Sequence, residues 1–147
     1  GDTPTGLGYG TNRTYYGATQ RLIRGGKYGG IAGGTGPSLK CNGELSKITS
    51  KVGLITADEL ALAGYAYGSG NITTYLQENA TDTYWWSLSP YGFDGGSADV
   101  WYVNGSVGSF VNYDVDDTDG VRPSISLKST TNVTGEGTSS SPYIISM

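Results

Sequence analysis

The chain has 147 residues, of which 36% are apolar and 25 are glycine, and its formal net charge is −4. This length predicts one domain, residues 1–147, that can bury a core, and the glycine content predicts many loops. The acidic balance argues against nucleic acid as a partner. The chain has no histidine and a lone Cys41, which excludes histidine-based catalysis, histidine zinc sites and an intramolecular disulfide. It lacks a run of about 18 apolar residues, so we expect no membrane insertion and no retained signal peptide.

The N-terminal third carries the weakest structural signals. Residues 1–20 are rich in Gly, Thr and Tyr and predict irregular or edge-strand structure, whereas the glycines of residues 28–38 predict a loop. A phosphate-binding function of this loop is excluded, because no GK[ST] follows it. Two strands are predicted over residues 39–44 and 48–55, on either side of a turn.

Two short helices are predicted next. Thr56 and Glu59 have the spacing of a capping box, in which each side chain accepts a hydrogen bond from the other residue's amide, and Gly64 supplies a left-handed stop. A second short helix is predicted over residues 73–78. Asp58 and Glu59 favour the helix dipole, so we interpret them as capping residues in preference to a catalytic pair.

A sheet is predicted from residue 84 onward. Its first strand covers residues 84–90 and is expected to end at Pro90, because proline cannot donate to a ladder. At least one of the two adjacent tryptophans of this strand must be buried, since successive residues face opposite ways. Residues 124–127 are predicted to continue the sheet, and residues 143–145 to close it beside the N-terminus.

A hairpin is predicted over residues 98–104 and 109–116, with Asn-Gly as its turn signal. In the second strand, alternation places one set of side chains on the core face and a polar set toward solvent or ligand. The predicted core set is Val111, Tyr113 and Val115, and the predicted polar set is Asn112, Asp114 and Asp116.

Residues 91–119 have the composition of a recognition surface. Gly, Ser, Asn, Asp and Tyr fill 19 of these 29 positions, and such residues combine large contact area with adaptable hydrogen bonding. No Lys or Arg occurs between Val52 and Val121, a span with ten Asp or Glu, so this half should repel phosphate and attract cationic or metal-bridged ligands. A solubilising acidic surface is the alternative.

An exposed aromatic anchor is predicted at Trp101, whereas Trp85 and Trp86 are assigned to the core in preference to a binding platform. The full set of predicted ligand contacts is Tyr91, Phe93, Asp94, Asp99, Trp101, Asn104, Asn112, Asp114, Asp116, Asp117 and Asp119.

The acidic run over residues 114–120 also suggests calcium, because oxygen-rich loops bind hard cations. Compared with an EF-hand loop, its glycine falls seventh instead of sixth and Ile125 occupies position twelve. We therefore predict no metal and no cofactor, with Ca²⁺ as the open alternative. Catalysis would rest on carboxylates or Cys41, and no carboxylate pair stands out in an apolar context, so we predict no enzyme.

Three ordered motifs resemble the C-type-lectin-like fold, in its formylglycine-generating-enzyme and retroelement-diversified branch. They are VGLITADELALAG at residues 52–64, YWWSLSP at 84–90 and GVRPSISL at 120–127. The resemblance implies an α+β fold with two short helices, a twisted, mostly antiparallel sheet and long loops, framed by residues 52–127. GPSLKC and the tail GEGTSSSPYII are more loosely similar to the extracellular domains of bacterial prepilin-like surface proteins.

These resemblances imply a function in recognition. The first implies a domain at the cell surface that binds a protein or glycan through residues 91–119, a segment that retroelement mutagenesis diversifies in the relatives. The second implies an ectodomain without its N-terminal anchor helix. The alternatives are a self-associating pilin-type subunit and, third, a carboxylate enzyme. The chain lacks the C-terminal cysteines of formylglycine-generating enzymes, so their activity is not carried over. It also lacks the EPN, QPD and WND signatures of calcium-dependent lectins, so calcium-dependent binding is not carried over either.

Overall fold

The computed structural model of the chain describes residues 14–23, 34–40, 49–79, 83–93, 96–138 and 140–146. Within these ranges the protein has an α+β fold with three short helices and a curled antiparallel sheet, which confirms the predicted class and adds one helix. The helices are α1 (Gly17–Leu22), α2 (Ala57–Leu62) and α3 (Tyr75–Glu78). The strands are β1 (Thr14–Tyr15), β2 (Gly53–Leu54), β3 (Trp85–Phe93), β4 (Ala98–Val103), β5 (Phe110–Asp114), β6 (Pro123–Ser124), β7 (Val133–Thr134) and β8 (Ile144–Ile145).

The main sheet has the strand order β1, β3, β4, β5, and all its pairs are antiparallel. The predicted hairpin is confirmed as β4 and β5, and Asn104 begins its turn by accepting a hydrogen bond from the Ser106 amide at 3.0 Å. β6 pairs with β2, and β8 pairs with β7. The predictions that these two C-terminal segments extend the main sheet are therefore wrong, since β1 already occupies the edge next to β3.

Pro90 lies inside β3, so the prediction that this strand ends there is wrong. The register between β3 and β4 shifts on both sides of the proline, between Trp86 and Pro90 and between Pro90 and Gly92. Pro90 itself lies opposite Val100, between the two irregularities, and proline is found in sheets mainly at such irregular positions. Gly92 then lets β1 approach, since a Cβ there would lie 2.8 Å from the Thr14 carbonyl oxygen.

The core lies on the inner face of the main sheet, against α1 and α2. Trp85 is buried and Trp86 half-buried, which confirms that at least one of this pair belongs to the core. The largest fully buried side chains are Trp101, Phe110, Leu60, Val103 and Thr19.

The prediction of which face of the second hairpin strand meets the core is wrong. Phe110 is buried opposite Val103, and Asn112 lies opposite the buried Trp101, so Phe110 and Asn112 share the inner side. Tyr113 consequently faces outward and is exposed, as is Val115 beyond the end of β5. A single large aromatic residue sets this register, because a shift of one position would send it to solvent.

Two of the three helices in the described residues were predicted from local sequence signals. The capping box of α2 is confirmed: the Glu59 amide donates to Thr56 Oγ1 at 3.2 Å, and the Thr56 amide donates to Glu59 Oε2 at 2.8 Å. Gly64 has the predicted left-handed conformation with a φ of 104°. The second predicted helix is confirmed as α3, with Thr74 as its N-cap. The edge strand predicted within residues 1–20 is confirmed by β1, whereas α1 takes the place of irregular structure from Gly17 onward, and residues 1–13 lie outside the described ranges.

Asp58 has a structural role. Its carboxylate accepts hydrogen bonds from Arg21 Nε at 3.0 Å and from the Ser38 amide at 2.8 Å, and so joins α1, the segment 34–40 and α2. Of the two strands predicted between residues 39 and 55, the described part shows β2 alone, and residues 41–48 lie outside the described ranges. No helix in the described ranges has the length and apolar character that a membrane span requires.

We predict that Thr56→Ala lowers the free energy of unfolding by about 1 kcal/mol, because the first turn of α2 loses its N-cap. Thr73→Ala, at an exposed position before α3, serves as the control and should change stability by less than about 0.5 kcal/mol. Chemical denaturation measures both. Equal midpoints for the two variants would contradict the importance of the cap.

Candidate functional site

Two of the predicted ligand contacts belong to the core. Trp101 is fully buried, and Tyr91 is 3% exposed, so the predictions that they form an exposed anchor and a surface contact are wrong. The Trp101 indole packs 4.4 Å from the ring centroid of Phe110 and donates from Nε1 to Thr19 Oγ1 at 3.0 Å. A partner for the indole N–H inside the core offsets the cost of removing this group from water.

A second group of predicted contacts is half-buried and engaged within the fold. Asn112 Nδ2 donates to Asp99 Oδ2 at 2.9 Å, and the Asn104 side-chain oxygen Oδ1 accepts from the Ser106 amide in the hairpin turn. Phe93 is half-buried at the end of β3. Asp94 lies outside the described residues.

The remaining predicted contacts are the acidic residues at the end of β5 and directly after it. Asp114, Asp116 and Asp117 each place a carboxylate oxygen within 4.8 Å of the others. Exposed acidic groups at such distances are common without a metal, so this cluster alone does not define a site. Asp119 and Asp117 have a second property, which is that both line a cleft on the outer face of the main sheet.

We call this feature the aromatic cleft. Its volume is about 240 Å³, and its lining residues are Tyr84, Tyr102, Tyr113, Asp117, Thr118 and Asp119.

Three adjacent segments of the sheet supply the tyrosines. Tyr84 directly precedes β3, Tyr102 lies in β4 and Tyr113 lies in β5. The ring centroids of Tyr84 and Tyr102 are 5.4 Å apart, and those of Tyr102 and Tyr113 are 5.2 Å apart. Trp86 extends the row, with its ring 5.8 Å from that of Tyr102. Cross-strand aromatic pairs of this kind stabilise a sheet, and Tyr84 and Tyr113 remain exposed.

The acidic wall of the cleft is tied to the start of β3. The Gly120 amide donates to the Tyr84 carbonyl at 2.8 Å, and the Gly120 carbonyl accepts from the Trp86 amide at 3.1 Å. A Cβ at Gly120 would lie 2.7 Å from the Tyr84 oxygen, so this close approach requires glycine. The two bonds hold Asp119 beside the tyrosines.

Tyr102 is the central group of the cleft. It is 7% exposed, yet its hydroxyl makes no hydrogen bond to any residue in the described part of the chain. Burial, assisted by Tyr84, Asp119 and Tyr113, raises the pKa of Tyr102 to about 12. Its oxygen keeps access to solvent at the cleft, so this hydroxyl is available to hydrogen-bond a ligand.

The negative charge of the cleft is not neutralised by the protein within the described ranges. Burial, followed by the neighbouring charge of Asp117, raises the pKa of Asp119. No described Lys or Arg forms a salt bridge with either carboxylate. Arg122 follows close in sequence, but it donates from Nη1 to the Leu76 carbonyl at 2.8 Å and lies over the Trp85 ring.

A larger cavity of about 560 Å³ lies between α1, the segment 34–40 and the start of α2. Most of its charged side chains are already paired: Arg21 with Asp58, and Glu59 with the backbone and hydroxyl of Thr56. Lys40 is the fourth charged lining residue. This cavity offers less unsatisfied chemistry than the aromatic cleft, so we assign the candidate site to the smaller one.

Prediction from sequence located the acidic half of the cleft and missed its aromatic half. Asp117 and Asp119 were among the predicted contacts, whereas Tyr84, Tyr102 and Thr118 were not, and Tyr113 was assigned to the core. The usable signal was the position of Tyr102 next to a larger aromatic residue on the same strand, since only one of two neighbours can face the core.

The chain belongs to the family described as Domain of unknown function (DUF6273), whose model matches residues 29–129. This match covers more than half of the chain and includes every residue of the aromatic cleft. No curated protein and no solved structure matches the chain.

We predict that Trp101→Ala destabilises the protein by about 3–5 kcal/mol, because it empties the centre of the core and removes the partner of Thr19. Val115→Ala should cost less than about 0.5 kcal/mol, since Val115 is 52% exposed. Chemical denaturation with the two variants side by side provides the measurement. A small effect at Trp101 would place its indole at the surface.

We predict that stability falls as the pH rises from 10.0 to about 12, because the folded state retains the Tyr102 proton that the unfolded chain releases. Tyr102→Phe should therefore lose less stability than the wild type over this interval. Tyr143→Phe, at an exposed position, controls for the number of tyrosines. Free energies of unfolding measured across this pH range test the prediction, and parallel curves for wild type and Tyr102→Phe would contradict it.

Proposed function

We propose that the chain is a ligand-recognition domain with a C-type-lectin-like fold, and that it binds a protein or glycan at the cell surface through the aromatic cleft. The observation that carries this proposal is the cleft itself. It joins two exposed tyrosines, the unpartnered hydroxyl of Tyr102 and two carboxylates on the outer face of the sheet. Tyrosine-rich surfaces with polar neighbours are typical of recognition sites.

Contacts among the three sequence motifs support the proposed fold. β2, in the first motif, pairs with β6, in the third, through Gly53 and Ser124. The Leu88 amide, in the second motif, donates to the Ile55 carbonyl at 2.8 Å. Trp85 bridges to Gly120. Motifs distant in sequence thus form one continuous frame, as the resemblance implies.

The dimensions of the cleft favour a protruding group over a whole small molecule. Pockets for drug-sized ligands measure roughly 300–1,000 Å³, and this cleft measures about 240 Å³. A side chain or a single sugar ring fits this volume. The exposed rings of Tyr84 and Tyr113 would contact the ligand beside the inserted group.

Self-assembly is a second candidate function, because the hairpin of β7 and β8 exposes a group of apolar side chains. Tyr143 is 64% exposed, and Val133, Ile144 and Ile145 are also accessible. Exposed apolar groups of this kind are frequent in protein interfaces. They lie apart from the lining of the aromatic cleft, so the two functions can be tested separately.

The test compares two double variants on glycan and protein arrays. Tyr84→Ser with Tyr113→Ser alters the cleft, while Tyr75→Ser with Tyr143→Ser removes two exposed tyrosines elsewhere. We expect the cleft pair to lower the affinity for array ligands by about 30-fold or more, because it removes two aromatic hot spots. The control pair should bind as the wild type does.

Equal binding by the two double variants would refute a function of the cleft in recognition. Sedimentation of the wild type and of Ile144→Asp then tests the second candidate: self-association that this substitution abolishes would favour assembly. Both double variants should keep a cooperative unfolding transition, with a lower midpoint for the cleft pair because it loses two cross-strand ring contacts, and this separates loss of binding from loss of fold.

A further inference from the structure

We propose that the aromatic cleft selects a positively charged alkylammonium group on its ligand. This inference rests on the proposed function and specifies the chemistry that the cleft recognises. Three features of the cleft support it independently: its rings, its uncompensated carboxylates and its unpartnered hydroxyl.

The rings supply the first requirement of an ammonium site. Tyr102 lies between Tyr84 and Tyr113, and both neighbouring ring centroids are within 5.4 Å of its own. An organic cation is attracted to the negative faces of such rings, and this attraction strengthens when water is excluded. Several aromatic residues around one small cleft are the arrangement that recognises methylated and alkyl ammonium groups.

The carboxylates supply the second requirement. Asp119 is the more constrained of the two, because burial and the Asp117 charge both disfavour its ionised form. A cation in the cleft would offset both effects at once, whereas a neutral ligand would increase the desolvation. The two cations that flank the acidic half of the chain in sequence are Lys51 and Arg122. The Arg122 guanidinium is held by the Leu76 carbonyl and the Trp85 ring.

The Tyr102 hydroxyl supplies the third requirement of an ammonium site, a hydrogen-bond acceptor. It lines the cleft, has no hydrogen-bond partner in the described residues, and can accept a hydrogen bond from an N–H donor. A protonated amine provides such a donor together with the charge. A hard metal ion would gain nothing from the rings, because it prefers a shell of oxygen ligands. The combination of rings, acids and hydroxyl therefore favours an organic cation.

The experiment titrates the whole chain with two matched pairs of probes, followed by tyrosine fluorescence or by amide chemical shifts. Choline is compared with its neutral isostere 3,3-dimethylbutan-1-ol, and Nα-acetyl-lysine amide with Nα-acetyl-norleucine amide. We expect each cation to bind at least about tenfold more tightly than its neutral partner. The tighter of the two cations indicates whether the natural group is a quaternary ammonium or a lysine side chain.

Charge variants provide the matched control. Asp119→Asn keeps the shape of the side chain and removes its charge, and should weaken both cations by about tenfold. Glu136→Gln makes the same change in net charge at an exposed position outside the cleft, and should leave binding unchanged. If the two substitutions weakened cation binding equally, the cations would be responding only to the net charge of the protein. That result would overturn the inference.

Failure of this inference differs from failure of the proposed function. Neutral probes that bind as tightly as the cations, or no binding at about 100 mM of either cation, would refute ammonium selection. If array ligands still required Tyr84 and Tyr113, recognition through the cleft would stand with a neutral ligand group. If the cations bound and no array ligand depended on those tyrosines, the cleft would be an ammonium site, and the protein or glycan proposal would fail.

Discussion

The fold depends on one buried hydrogen bond, from the Trp101 indole to the Thr19 hydroxyl. The Thr19 hydroxyl in turn donates to the Tyr91 carbonyl at 2.7 Å. Thr19 therefore links α1 to both β3 and β4. Once the indole is buried, alternation along β4 sends Tyr102 to the opposite face. The placement of a core side chain therefore determines where the central residue of the aromatic cleft lies. The register of β4 therefore fixes both the core on one face of the sheet and the aromatic cleft on the other.

Features with local causes could be predicted from the sequence. The capping box joins residues three positions apart, and the hairpin turn is closed between Asn104 and Ser109, with the left-handed Gly108 inside it. The helix α1 and the face chosen by Trp101 could not be predicted, because each depends on the other. Their connecting bond spans 82 positions in the chain. Pro90 was misassigned for a related reason: the β-bulges that accommodate it exist only in the paired sheet.

The candidate site divides in the same way. Asp117 and Asp119 could be predicted because a run of acids without basic neighbours is visible in the composition. The tyrosines could not, because their convergence requires Tyr84, Tyr102 and Tyr113 to lie on one face of three neighbouring segments. The bonds of Gly120 to Tyr84 and Trp86 then bring the acids to the tyrosines. The sequence around Gly120 does not predict these bonds, because a glycine before a valine is ordinary in this glycine-rich chain.

The division between the two faces also limits how residues 91–119 could vary. Retroelement diversification of this segment, which the lectin-like resemblance implies, would have to spare Tyr91, Trp101 and Phe110, because each is buried against the others or their neighbours. The side chains free to change are those on the outer face and in the acidic loop, where substitution costs little stability. Variation would then concentrate in the aromatic cleft, at Tyr113 and Asp117 above all. A diversified surface of this kind would keep its frame and exchange the group that its cleft accepts.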